Sequence, residues 1–196
     1  MRWTYLNGRW MAMFCAWTLL ISHSTLAEKD KQYQQIEWIA LMPEDDLQAL
    51  LDPPDSMFSI PEGSAQDSFN SFDSESGSDR KQQRFQAALD STRVVDAFAG
   101  KAIKIPGYIV PLEANANKEI TAFFIVPYFG ACIHMPPPPP NQMIYAQLKK
   151  GVQLENLYEA FWFEGTLEIG TMDHMMGKSA YRIQLDHLVR FDSEEG

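Results

Sequence analysis

The chain has 196 residues, 26 of them acidic and 16 basic, for a formal charge of −10. That balance excludes a nucleic-acid binder, which needs Lys and Arg for phosphate contacts, and a module drawn to anionic lipid. It suits a soluble protein, or one whose partner is basic or a metal cation.

Residues 1–27 read as a secretory signal peptide. Arg2 and Arg9 make a positive start, Met11 to Ile21 an apolar stretch, and Thr25-Leu26-Ala27 a small-x-small cleavage site. The apolar stretch is short of the roughly 20 residues that span a bilayer. Cleavage would leave 169 residues, with the 16 basic side chains reduced to 14 and the charge at −12. That length suffices for one core. The expected location is the periplasm, with no membrane insertion once the signal is removed.

Residues 28–60 are expected to form a peripheral extension. Gln35 to Leu41 alternates in a way that suits an edge strand or a short helix. Pro43-Glu44-Asp45-Asp46 opens a helix over Leu47 to Leu51, with proline and acids at the favoured end. Residues 61–92 shift to Ser, Asp, Glu and Gly, a solvated linker or long loop, and end in a short helix over Gln82 to Ala88.

Residues 93–196 carry five strand-like segments: Lys101 to Leu112, Ile120 to Val126, Met143 to Leu148, Phe161 to Glu168 and Ala180 to Val189. Gly107 marks a bend or bulge in the first. Turns are expected at Asn115 to Asn117, at Lys149-Lys150-Gly151 and over Gly170 to Gly177, with one possible helix over Gln153 to Ala160. The expected fold is mostly β: a small closed or partly open OB-like barrel of about five strands, since closure removes exposed edges.

One stretch stands apart. Val126-Pro127-Tyr128-Phe129-Gly130-Ala131-Cys132-Ile133-His134-Met135 runs into five prolines, Pro136 to Pro140, and then Asn141-Gln142. Consecutive prolines cannot join a helix or a central strand and form a stiff polyproline II segment. Together with "IPGYIVPLE" at Ile105 to Glu113, this stretch resembles an uncharacterised family of exported proteobacterial proteins, the domain-of-unknown-function family 3299, over about residues 93–192. The resemblance implies a small periplasmic domain. Genes of the family often lie near lipoprotein-release-type ABC transporters and zinc-responsive genes, and no reaction is established for it.

Cys132 and His134 are two residues apart, so an extended segment points both to one face, the spacing for a shared metal. His174 and His187 are the best further donors, and Asp173, Asp186 or Glu164 could add a carboxylate. Against this stands a plain core cysteine, since free cysteine is among the most buried side chains. An unpaired thiol is also a liability in an oxidising compartment, which favours ligation. A nucleophilic Cys132 is the enzyme alternative, but a base two residues along one strand is poorly placed for proton transfer. Met172 to Met176 around His174 hints at soft-metal ligation, although Met also fills gaps. The expectation is therefore a non-enzymatic periplasmic protein that binds zinc or a related divalent ion through Cys132, His134, His174 and His187, alongside an envelope transporter or lipoprotein component. The alternative is an interaction module of an envelope ABC transport system that holds no metal.

Overall fold

The computed structural model describes residues 31–54, 80–132, 137–154 and 156–191. The expected signal peptide, most of the acidic segment after residue 61, and His134 lie outside them. The described residues hold six strands: β1 Gln34–Gln35, β2 Ala102–Ala114, β3 Ile120–Val126, β4 Ile144–Val152, β5 Phe161–His174 and β6 Gly177–Arg190. Two helices, α1 Glu44–Leu51 and α2 Arg80–Leu89, precede the barrel.

Five strands close on themselves in the order β2-β3-β4-β6-β5, and β5 returns to β2. Neighbours are antiparallel except β4 and β6, which run parallel. This is the OB-like barrel expected from the strand spacing. Closure depends on β2 serving two partners. Its first half, Ala102 to Gly107, pairs with β5, and from Tyr108 onward it pairs with β3. Gly107 is the pivot. A Cβ there would lie 2.9 Å from Ile125 Cγ2, 2.9 Å from the Val126 carbonyl oxygen and 3.2 Å from the Trp38 ring. The glycine expected to mark a bend is thus required by close approach of backbone.

Alternation fills the barrel. Ile103, Ile105 and Ile109 from β2 face inward with Phe123 and Ile125 from β3, Ile144 and Ala146 from β4, Phe163 and Leu167 from β5, and Tyr181 and Ile183 from β6. Ile36, Trp38 and Leu41 join the same core. Residues 31–42 are therefore integral to the barrel rather than peripheral. Both readings of Gln35 to Leu41 are realised in part: β1 lies parallel to β2, and a 3-10 turn follows over Trp38–Leu41. Trp38 Nε1 donates to the Pro106 carbonyl at 2.6 Å, tying that turn to β2.

Three local expectations need correction. The loop expected over Gly170 to Gly177 is strand almost throughout, with only Met175-Met176 between the paired His174 and Gly177. Gly170 is there because the Arg182 stem crosses it, 3.1 Å from where a Cβ would stand. Lys149-Lys150-Gly151 likewise continues β4, since Gly151 packs on Glu119, whose Cβ would be 2.6 Å from an added Cβ. Gln153 to Ala160 is not a helix. Asn156 accepts from the Tyr158 amide at 2.9 Å, a local turn that competes with helix.

Gly107→Ala is expected to destabilise the domain by about 1–3 kcal/mol, the usual cost of overpacking against groups that cannot yield. Urea unfolding checks it, and an unchanged midpoint would refute the pivot.

Candidate functional site

Strand β3 is buried on both faces from Ala122 to Val126, as are Ile109-Val110 of β2 and Ile144 to Ala146 of β4 beside it. Outside the barrel, Val110, Ala122, Phe124, Val126, Met143 and Tyr145 form a second apolar cluster with Ala131. Phe124 and Tyr145 meet edge to face, ring centres 6.3 Å apart. In OB-type barrels this outer face, on the second and third strands, is a common place for ligands. Here the chain itself covers it. Cys132 comes from the corner after β3, and Met172 and Met176 come from the end of the β5–β6 hairpin; all three pack against the cluster half-buried.

The corner is tightly constrained. Gly130 has φ 85° and Cys132 has φ 64°. The first suits glycine; the second places a side chain in the left-handed region, at a cost of about 1–2 kcal/mol. A glycine or asparagine would sit there with less strain, so the backbone does not explain the cysteine. Cys132 is a free thiol. Burial pushes it up to about 11. At neutral pH it is therefore a protonated thiol and a poor nucleophile.

The described part of the proline run, from Pro137 onward, is anchored. Pro138 and Pro140 are buried, Pro139 keeps the extended polyproline angles (φ −50°, ψ 145°), and Pro140–Gln142 turns into a 3-10 helix. Pro137 stands against the hairpin end, its Cβ 3.2 Å from where a Gly177 Cβ would be, with Met143 Sδ at 3.4 Å. Beyond it lies a buried polar clasp that sequence reading missed. Asp46, an acid whose place in the first turn of α1 suggests only a dipole contact, is 7% exposed. It accepts from Ser91 Oγ at 2.6 Å, Arg93 Nη1 at 3.1 Å and Asn141 Nδ2 at 3.4 Å. Gln142 Nε2 donates to the Trp38 carbonyl at 2.9 Å. Tyr181 completes the clasp, donating to the Leu41 carbonyl at 2.8 Å and accepting from the Val95 amide at 2.7 Å.

The histidines expected to complete a metal set do not converge. His174 lies at the site, its ring 6.3 Å from that of Phe124. Its Nδ1 accepts the Met176 amide at 3.2 Å, so that lone pair is already engaged. His187 sits ten residues beyond the turn on β6, roughly 30 Å of strand path away at about 3.3 Å per residue. Its ring meets Tyr33 edge-on at 5.9 Å, and it pairs in register with Glu164. Asp186 is held by Lys31 at 2.6 Å and Tyr33 at 3.0 Å. One ion cannot take both His174 and His187. Among the described residues, no three His, Cys, Asp or Glu side chains form a group able to hold a metal. A complete four-ligand zinc set from Cys132, His134, His174 and His187 does not fit this arrangement.

Alkylation of Cys132 is expected to be slow near pH 7 and to keep accelerating past about pH 10, whereas the unfolded chain should level off a unit or so above its ordinary value of about 8.5. A native rate that is already flat by about pH 9.5 would contradict a desolvated thiol.

The family model described as "Protein of unknown function (DUF3299)" matches residues 38–190. A crystal structure of a DUF3299 family protein from Pseudomonas aeruginosa PAO1 aligns with a TM-score of 0.58 and 32% identity, covering 82% of this chain and 97% of that one. No curated protein matches. The matched span begins at Trp38, so it takes in the N-terminal turn that completes the barrel core as well as the proline corner. The chain belongs to the DUF3299 family.

Proposed function

We propose that this protein is a periplasmic binding module, not an enzyme, and that it takes up a metal ion with Cys132 as the anchoring ligand. The observation that carries the reading is the strained cysteine: a side chain that the backbone disfavours at φ 64°, kept at the one corner where a half-exposed thiol meets the outer barrel face. A thiol held protonated by burial is a poor nucleophile, which argues against cysteine catalysis. It remains a competent ligand, because a bound cation drives off the proton. The sequence supplies a second donor, His134, two residues on. Zinc is the ion that the family's zinc-responsive gene neighbourhood suggests. With two ligands of its own, the corner would leave coordination positions open for a transporter or lipoprotein component to fill.

A second reading has its own support. Tyr128 and Tyr158 are exposed at the corner, and the Tyr158 ring packs against Phe129 at a 40° tilt with ring centres 4.5 Å apart. An aromatic surface of this kind suits protein docking without any metal.

Protein recovered from the periplasmic fraction of zinc-replete cells should begin at Glu28 and carry metal by elemental mass spectrometry, and Cys132→Ser should lose most of it. Metal-free wild-type protein would sink the metal reading and leave the aromatic surface as the working site. An intact Met1 in the membrane fraction would sink the location.

A further inference from the structure

We infer that the outer barrel face holds a soft monovalent cation, Cu(I), through the sulfurs of Cys132, Met172 and Met176; this rests on the metal-binding reading and names its ion. The three side chains come from two separate elements, the corner after β3 and the end of the β5–β6 hairpin. They pack against one small cluster around Phe124, Met143 and Tyr145. Met143 stands behind them, with its sulfur beside Gly177. The hairpin end is fixed from within by the Met176 amide donating to His174 Nδ1, and from without by Pro137 against Gly177.

The chemistry of these donors selects the ion. Zinc sites are built from thiolate, imidazole and carboxylate in fours, and thioethers are not among the usual ligands. Here His174 Nδ1 already accepts the Met176 amide, and Asp173, the carboxylate of the hairpin end, is paired with Lys178 at 2.9 Å. Two thioethers and a thiol, against an aromatic wall, are the soft set that selects Cu(I). Phe124, fully buried in the cluster, keeps water from that side, while the Tyr145 ring already carries the Arg182 guanidinium 5.6 Å from its centre. Binding exchanges one proton for one ion: the Cys132 S–H bond breaks, a Cu–S bond forms, the proton leaves to solvent, and copper stays in the cuprous state throughout. Met175, at the tip and 93% exposed, stands outside the set and provides a control.

The test is anaerobic competition between the mature protein and a chromophoric cuprous chelator, run beside a zinc titration. Wild type should withdraw one Cu(I) per chain. Met172→Leu with Met176→Leu, which keeps size and apolarity, should weaken Cu(I) affinity by more than about tenfold and leave the melting temperature nearly unchanged, as volume-conserving swaps do. Met175→Leu should bind like wild type. Cu(I) binding that the double variant retains in full would overturn the inference. So would zinc binding at Cys132 without Cu(I) binding, an outcome in which the metal-binding reading survives. If neither ion binds, both fall together.

Discussion

At Gly107, strand β2 leaves β5 and takes up β3, and the rest of the barrel follows from that exchange. The change of partner is possible only because no side chain stands between β2, the Ile125 branch and the Val126 carbonyl. Because β2 serves both neighbours, the five strands close and leave only the two-residue β1 as an addition at its first half. Closure places alternate residues of β2, β3 and β4 inside and the others on an outer face. That outer face is as apolar as a core and has to be covered. The corner and the hairpin end cover it.

The covering elements have a property that burial alone does not require. An apolar face could be sealed with leucine or valine at little cost. Instead, beside Tyr108 and Leu112 of β2 itself, the corner and the hairpin end bring a cysteine in a left-handed conformation and two methionines, backed by a third. Strain of this kind persists only where the surroundings over-determine it. Two constraints do so here: the proline run, which has little conformational freedom left to lose, and the Asp46 clasp that grips Asn141 at its end. The corner is held at both ends while its thiol stays half-exposed.

Much of this was legible in the residues. The strands follow from alternation, and the two-sided burial of Ala122 to Val126 follows from its unbroken apolar run. Glycines misled where they serve packing: Gly151 and Gly170 look like turn residues and instead make room for Glu119 and Arg182. The Met175-Met176 turn carries none of the usual turn chemistry, so the sequence does not mark where the hairpin reverses. At the site, the setting of Cys132 in the sequence marks it out, whereas methionines in a sequence read equally well as gap-fillers. Their gathering with Cys132 depends on a hairpin folding over a strand far away in sequence, which spacing cannot reveal. His187 was misplaced for the converse reason. It shares a strand with the site's hairpin, but a long extended strand carries it to the other end of the barrel.

The central claim is that the Cys132 sulfur binds the ion directly. X-ray absorption at the metal edge of the loaded mature protein tests it most directly. A sulfur shell is expected around the ion, and it should lose the Cys132 contribution in Cys132→Ser. An ion surrounded by nitrogen and oxygen alone, or a sulfur shell unchanged in that variant, would contradict it.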